Sequence, residues 1–393
     1  QSAKEEAIEE KMEAISRKND GINKKIIVTG CLAERYQKQM DEEFPEIDAV
    51  VGIAKNDDIV EIINSVMLDR RVVTFGDKLC HNMEGDKLQS TLPHYAYLRI
   101  SDGCSNKCSY CAIPLIRGKM RSRKMENIIE EAKKFAENGV KELVIVAQDV
   151  TAYGIDLYKK YALPDLLKQL CKIDGIKWIR LLYCYPERMT DELIETIKTE
   201  DKVLNYIDIP IQHCNKEILR NMYRGGDEQS LRELFAKLRR EIPGVVLRTT
   251  LITGFPGETE EQFSELAAFV NDIKFERLGC FAYSAEEDTP AAEMPDQVDE
   301  GERQRRADII TGEQEIRMGE YYAGMIGNTY EVVCEGFDRY SDMYFGRSMH
   351  FAPEIDGMIY FTSAKDKGPL TIGDFVNVKI TDVLENNLLG ERV

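Results

Sequence analysis

Residues 97–123 read YLRISDGCSNKCSYCAIPLIRGKMRSR, and this stretch decides which fold the rest of the chain must build. It opens with an apolar strand run, and Cys104, Cys108 and Cys111 follow directly with C-x3-C-x2-C spacing. Thiolates are soft ligands that suit zinc or an iron–sulfur cluster. Because the motif supplies only three ligands, it favours a 4Fe-4S cluster in which one iron stays open to bind a substrate.

Two other interpretations of the cysteine loop stay open from the residues alone. The thiolates would form a structural zinc site if a remote side chain, such as His94 or His213, supplied the fourth ligand. They would also fit a core in which cysteines pack as small apolar side chains. Structural zinc sites more often pair two C-x2-C hooks, and the sequence contains no second hook.

Beyond the cysteine loop the sequence repeats a strand followed by a helix, which predicts an α/β fold with parallel strands. Six such units make about three quarters of a TIM-type (β/α)8 barrel, that is, a partial (β/α)6 barrel. Its chemistry would lie at the carboxyl ends of the strands, where the cysteine loop follows the first strand. The predicted strands lie near residues 96–101, 141–147, 178–184, 205–211, 245–252 and 276–283.

Changes in pattern on either side of this barrel predict three domains. Residues 1–90 alternate helices and strands, which indicates a small parallel α/β domain, and residues 91–324 hold the barrel. Residues 325–393 contain short strand runs split by Gly, Pro and Asp, which predicts a small antiparallel β-barrel. The chain opens on Gln1 within a helical pattern, so we expect the first domain to be incomplete at its start.

The charge balance restricts the partners. Lys and Arg total 52 against 70 Asp and Glu, a net charge of −18 that argues against binding nucleic acid by bulk electrostatics and favours a basic partner. No apolar run reaches the length of a membrane span, so we expect no contact with a membrane. Ten cysteines without a secretory signal indicate a reducing compartment, which we take to be the cytoplasm.

The cysteine spacing, with Tyr110 just before the third cysteine, resembles the radical S-adenosylmethionine (radical SAM) superfamily. The continuation IPLIRGKMRSR is similar to the methylthiotransferases within it, as are VAQD at 146–149, DIPIQH at 208–213 and TGFPGET at 253–259. This resemblance implies a 4Fe-4S cluster on Cys104, Cys108 and Cys111, with S-adenosylmethionine on the open iron. It also implies contacts to S-adenosylmethionine from Tyr110, Gln148, Asp149, Gln212 and Arg248.

The methylthiotransferases carry a second, auxiliary 4Fe-4S cluster, held by three cysteines of the N-terminal domain, which supplies the transferred sulfur. Cys31, in the run VTGCLAER at 28–35, resembles the third of these ligands, and the other two would lie upstream of Gln1. The remaining cysteines are interpreted as packed thiols. They are Cys80, Cys171, Cys184, Cys214, Cys280 and Cys334.

A basic cluster follows the cysteine loop. It is either a solvated face or a surface that guides an anionic cofactor or substrate into an acidic protein. Its members are Arg117, Lys119, Arg121, Arg123 and Lys124.

The C-terminal barrel resembles a TRAM domain, which in most members of the family binds transfer RNA. Here residues 325–393 carry six Lys and Arg against eleven Asp and Glu, so transfer RNA is disfavoured and a basic protein fits better. The run GRSMHFAPEIDG at 346–357 resembles the RimO branch, which modifies an aspartate of the twelfth small-subunit ribosomal protein, rather than the MiaB branch, which modifies transfer RNA.

The RimO resemblance implies that a 5'-deoxyadenosyl radical removes hydrogen from the aspartate β-carbon, which then receives a methylthio group. It also implies an electron donor such as flavodoxin or ferredoxin. A transfer-RNA methylthiotransferase and a non-catalytic metal-binding module with an interaction barrel are the alternatives.

Overall fold

The computed structural model describes residues 2–80, 82–85 and 88–393, and the chain divides into two compact units. The first unit contains the chain up to residue 86 together with Asp102–Arg121 and Ser284–Glu293, and the second contains the rest. No helix in the described part of the chain is long and apolar enough to cross a membrane.

The first unit contains a small parallel α/β fold, as predicted. Its three-stranded sheet has the order β1-β2-β3, and its third strand was not anticipated from the sequence. Buried apolar side chains, among them Ile26, Ala33, Met40 and Val50, pack the helices on the sheet. The elements are α1 (Ser2–Asn19), β1 (Ile27–Thr29), α2 (Cys31–Arg35), α3 (Gln37–Glu43), β2 (Ala49–Val51), α4 (Ile59–Met67) and β3 (Val72–Thr74).

The middle of the chain supplies the barrel of the second unit, apart from the segment Asp102–Arg121, which contains the helix at Ile113–Arg117 and belongs to the first unit. The elements are β4 (Tyr95–Arg99), β5 (Ser101–Asp102), α5 (Ile113–Arg117), β6 (Arg121–Ser122), α6 (Met125–Glu137), β7 (Glu142–Val146), α7 (Leu163–Leu170), β8 (Trp178–Leu181), α8 (Asp191–Thr199), β9 (Val203–Asp208), α9 (Lys216–Asn221), α10 (Glu228–Glu241), β10 (Val246–Thr253), α11 (Glu260–Ile273), β11 (Arg277–Ala282) and α12 (Glu300–Ala323). Six parallel strands form one sheet in the order β11-β10-β9-β8-β7-β4, which confirms the predicted (β/α)6 arrangement.

Local sequence explains where the barrel helices begin. Capping boxes start two of them, with Asp227 and Ser230 at α10 and Thr259 and Gln262 at α11, so each pair satisfies backbone groups that the helix leaves open. Apolar residues at helical spacing bury one face of each helix against the strands. Short 3-10 helices lie at Ile53–Asp58, Lys78–Cys80, Val150–Ala152, Pro186–Arg188, Pro290–Glu293 and Lys365–Lys367.

The C-terminal region of the second unit is a closed five-stranded barrel with the order β12-β13-β14-β16-β15. Its strands are β12 (Thr329–Asp338), β13 (Met343–Ser348), β14 (Ile359–Thr362), β15 (Phe375–Leu384) and β16 (Asn387–Arg392). Four neighbouring pairs are antiparallel, as predicted, but β14 and β16 run parallel. A closed ring of five strands cannot alternate direction at every neighbour, so one parallel pair is unavoidable.

The C-terminal barrel packs on the parallel sheet through a second apolar core. Tyr95, Trp178 and Val246 begin β4, β8 and β10, and they lie in one buried cluster with Val333 and Ala352 of the C-terminal region. The contact therefore occurs at the amino end of the sheet, opposite to the carboxyl ends where α/β barrels carry their chemistry.

Candidate active site

The cysteine loop leaves β5 through a glycine that its geometry requires. Gly103 has a φ of +73°, and a Cβ at this position would lie 2.5 Å from the backbone oxygen of Lys119. A larger residue would therefore be both strained and obstructed. The backbone N–H of Cys104 donates to the carbonyl of Gly118 at 3.1 Å, which closes the loop on itself.

The three cysteines of the loop are partly buried thiols. Cys104, Cys108 and Cys111 are each of intermediate exposure, and none is in a disulfide. The backbone N–H of Cys111 donates to the carbonyl of Cys108 at 3.1 Å, and the carbonyl of Ser109 accepts from Ala291 at 2.9 Å. Burial raises the pKa of the Cys111 thiol. Tyr110, between the last two cysteines, is also partly buried.

The donor chemistry of this loop fits an iron–sulfur cluster, because three soft sulfur ligands lie on one short segment. The side chains are not gathered around a common point. Within residues 2–80, 82–85 and 88–393, no group of three or more His, Cys, Asp or Glu side chains that could hold a metal ion is present. Ligation by these cysteines is therefore a proposal that rests on their chemistry.

Arg117 links Cys31 to the segment that carries the cysteine loop, all within the first unit. Cys31 is exposed and begins α2, directly after β1. Arg117 ends α5, and its Nη2 lies 3.3 Å from the Cys31 Sγ while its Nη1 donates to Asp102 Oδ1 at 2.8 Å. The sequence predicted Cys31 as a ligand site but gave no sign of this arginine bridge.

The basic cluster after the loop is not one solvated face. Lys119 and Lys124 are exposed. Arg123, however, is buried, with Glu131 at 2.6 Å and the carbonyl of Arg99 at 2.8 Å, so the interpretation as a solvated face is wrong for this residue. A guanidinium removed from water needs such acceptors.

Gln148 follows β7 in the second unit and carries an unpaired acceptor. Its Oε1 is buried without a hydrogen-bond partner among the described residues, and so is the Oγ of Ser101. Arg99 pairs with Val146 at the end of the parallel register of β4 and β7, and Ser101 and Gln148 each lie two residues beyond this last pair. Buried polar atoms are normally satisfied, so this pair is a candidate for ligand contact.

The Asp149 carboxylate already has hydrogen-bond and ion-pair partners within the protein. Its carboxylate accepts hydrogen bonds from the backbone of Ala152 at 3.2 Å and from the Thr151 hydroxyl at 2.5 Å, which caps the 3-10 helix that follows. Arg188 forms an ion pair with it. The sequence predicted Asp149 as a cofactor contact but did not identify Arg188, since the two lie on different strand-to-helix connections.

Gln212 and Arg248 lie in the second unit with their own partners. Gln212 has a φ of +70° and bridges to β10 through its backbone, accepting from Ile252 at 2.9 Å. Arg248 Nη1 donates to Asp208 Oδ1 at 2.7 Å. Burial raises the pKa of Asp208, which also accepts from the backbone of Tyr183 at 3.0 Å.

Both histidines considered as zinc ligands contact carboxylates. His94 Nε2 lies 2.9 Å from Glu335 Oε1. His213 accepts from the backbone of Asn215 at Nδ1, and its Nε2 lies 3.5 Å from Glu258 Oε2. A carboxylate orients the His94 ring and a backbone N–H orients the His213 ring, with a carboxylate near each Nε2, which weighs against a structural zinc site.

The prediction that the other cysteines are packed thiols is wrong for Cys80, which is exposed at the end of a 3-10 helix. The polar and turn-rich sequence around it offers no core in which to pack it. The rest are buried or partly buried, namely Cys171, Cys184, Cys214, Cys280 and Cys334.

Comparison with known proteins places this arrangement in a family. Residues 98–270 match the Radical SAM superfamily, and residues 326–393 match the TRAM domain. Among solved structures, the radical S-adenosylmethionine methyltransferase TsrM from Kitasatospora setae aligns with a TM-score of 0.56 at 14% identity. That alignment covers 71% of this chain and 59% of TsrM, and it supports the fold alone.

Three curated relatives share the name ribosomal protein uS12 methylthiotransferase RimO. The protein from Caldanaerobacter subterraneus is 48% identical, over 92% of this chain and 82% of its own length. Those from Clostridium botulinum and Desulforamulus reducens are 46% and 47% identical, over 99% and 100% of this chain and 87% and 88% of their own lengths. At this identity and coverage the chain belongs to the RimO family of radical SAM methylthiotransferases.

Proposed function

We propose that this chain adds a methylthio group to the β-carbon of an aspartate in ribosomal protein uS12. The observation that carries the proposal is the near full-length similarity to proteins named for that activity. The acidic chain, with net charge −18, adds support, because a ribosomal protein is a basic partner and complementary charge steers such partners together.

The proposed ligands of the first 4Fe-4S cluster are Cys104, Cys108 and Cys111, which leave one iron for S-adenosylmethionine. Cys31 is the proposed ligand of the auxiliary cluster. Together these cofactors supply the radical chemistry and the sulfur, and the protein supplies binding and orientation. Cys31 is exposed and the three loop cysteines are partly buried, so none of the four thiols is sealed in a core, and this supports the assignment.

The residues proposed to contact S-adenosylmethionine differ in whether their polar atoms already have partners in the protein. Gln148 has an unpaired buried acceptor, which suits the amino group of the cofactor. Asp149 forms an ion pair with Arg188, and Arg248 forms one with Asp208. These two residues would therefore act mainly by holding the segments at the strand ends in place. Gln212 and Tyr110 complete the proposed set.

The proposal includes a cellular setting and a domain division. We place the reaction in the cytoplasm, with flavodoxin or ferredoxin as electron donor and without transfer RNA as substrate. We also propose that residues 1–90, 91–324 and 325–393 act as the N-terminal methylthiotransferase domain, the radical SAM barrel and the TRAM domain. The family matches at 98–270 and 326–393 support the last two.

A direct assay tests the proposed function. The full-length protein is reconstituted anaerobically with iron and sulfide, then incubated with S-adenosylmethionine, a reductant and either purified uS12 or transfer RNA. We expect mass spectrometry to find one methylthio group on an aspartate-containing peptide of uS12. Modified transfer RNA would favour the MiaB-type alternative instead, and a colourless zinc protein would indicate a non-catalytic module.

A further inference from the structure

We infer that Arg117 is a positioning residue for the auxiliary cluster, which it serves by donating a hydrogen bond to the sulfur of Cys31. The inference rests on the proposed role of Cys31 as a ligand of that cluster. Its basis is the 3.3 Å separation between Arg117 Nη2 and Cys31 Sγ within the first unit.

Asp102 fixes the arginine in this orientation. The Asp102 side chain is only 1% exposed, and its Oδ1 accepts from Arg117 Nη1 at 2.8 Å. Arg121 Nη2 lies 3.5 Å from the other carboxylate oxygen, so the carboxylate has one arginine on each side. Because a guanidinium is a rigid planar fork, holding one nitrogen on Asp102 determines where the other nitrogen points.

The backbone near Arg117 is constrained as well. Arg117 is the last residue of α5, and Gly118 follows it with a φ of +76°. The carbonyl of Gly118 accepts the N–H of Cys104, so the turn that places Arg117 also closes the cysteine loop. One turn thus positions both the first loop cysteine and the arginine that reaches Cys31.

A hydrogen bond and a positive charge at a ligand sulfur stabilise the more negative, reduced state of an iron–sulfur cluster, and therefore raise its reduction potential. Glutamine at position 117 would remove the positive charge, and its shorter side chain would not extend as far toward the Cys31 sulfur. Lysine would keep the charge, but it lacks the fork that binds two partners at once. Lys119 is a matched control, because it is an exposed cation of the same segment, two residues away.

The test isolates the auxiliary cluster in the full-length protein. In a background with Cys104→Ala, Cys108→Ala and Cys111→Ala, the only cluster that forms is the one assigned to Cys31. Arg117→Gln, Arg117→Lys and Lys119→Gln are each added to it. Iron content per chain is measured, and the midpoint potential is determined by redox titration followed by electron paramagnetic resonance.

We expect Arg117→Gln to shift the midpoint to a more negative potential, Arg117→Lys to shift it less, and Lys119→Gln to leave it unchanged. A loss of iron in Arg117→Gln that Arg117→Lys restores would support the same role. Equal potentials in Arg117→Gln and its parent would overturn the inference while leaving the proposed function intact. Absence of iron from the parent background would overturn the assignment of Cys31 and this inference with it.

Discussion

Arg347 Nη2 lies 2.9 Å from Glu142 Oε2, and this ion pair joins β13 of the C-terminal barrel to β7 of the parallel sheet. The side chains are 1% and 0% exposed. Arg180 Nε donates to the other Glu142 oxygen at 2.7 Å, and Arg347 Nε donates to Glu335 at 2.7 Å. Burial by itself would raise the pKa of Glu142, but Arg347 and Arg180 lower it to about 2.

Replacing Arg347 with Met removes one charge from this buried network. The variant leaves Glu142 with Arg180 alone and Glu335 with His94 alone, so each of these two buried carboxylates loses one cationic partner. Breaking a buried pair from one side costs roughly 3–5 kcal/mol. We expect a fall of that size in the free energy of unfolding, measured by denaturant titration.

The control for Arg347→Met is an exposed ion pair between the same two regions. Lys177 Nζ lies 2.5 Å from Glu331 Oε1, with the side chains 41% and 44% exposed. Because water competes for both charges, Lys177→Ala should cost less than about 1 kcal/mol. If the two variants lost equal stability, burial would not explain the contribution of the Arg347 network to the free energy of unfolding.

His350 predicts a second, pH-dependent contribution to stability. Burial, with Arg277 and Arg180 nearby, lowers the pKa of His350 from 6.5 to about 4. Between these values the unfolded chain binds a proton that the folded protein does not, so stability falls as the pH drops from 6.5 to 4. The loss is at most about 3.4 kcal/mol by the usual relation between pKa and free energy.

Unfolding titrations across this pH range test the His350 prediction. His350→Asn should flatten the dependence between pH 6.5 and 4, because asparagine does not titrate. The slope below pH 4 should persist in the variant, since the depressed pKa of Glu142 acts there. An unchanged slope between pH 6.5 and 4 would mean that other groups bind the protons.

The fold was predictable where strands are apolar runs followed by amphipathic helices. The predicted strand at 178–184, for example, is β8 at Trp178–Leu181. Strand β3 was missed, because a three-residue run such as Val72–Thr74 carries no clear period and is defined by its neighbour in the sheet. Pairing between distant segments, such as β14 with β16, is not encoded in local pattern.

The sequence predicted candidate site residues but not the side chains that contact them. The motif at 346–357 was interpreted through its resemblance, yet its charged side chains bind the parallel sheet. Glu354 accepts from the hydroxyls of Tyr95 and Tyr97 at 2.8 and 2.9 Å, and Asp356 accepts from Tyr206 at 2.7 Å. These contacts depend on how two distant regions meet, which one sequence does not reveal.

Gln148→Ala should weaken binding of S-adenosylmethionine without loss of stability. Its Oε1 has no partner among the described residues, so truncation breaks no internal hydrogen bond at that atom. Loss of one hydrogen bond to the cofactor is worth about 1.4 kcal/mol, or roughly tenfold in affinity. Equilibrium binding to the anaerobically reconstituted protein measures the effect.

Asp149→Ala is the comparison variant for Gln148→Ala, because we expect it to lower stability. This substitution removes a helix cap and leaves Arg188 without its carboxylate, so we expect a loss of about 1–3 kcal/mol in stability. If Gln148→Ala were as unstable as Asp149→Ala, or bound the cofactor normally, the role assigned to Gln148 would be wrong.

Cys108→Ala should abolish formation of 5'-deoxyadenosine from S-adenosylmethionine and reduce the iron bound per chain. A cluster held at three corners has no spare protein ligand, so losing one thiolate removes its anchorage. Stability should change little before reconstitution, because Cys108 is only partly buried. Cys80→Ala is the matched control, since Cys80 is an exposed thiol outside the motif, and it should keep both iron and product. Product formation at the normal rate by Cys108→Ala would refute the ligand assignment.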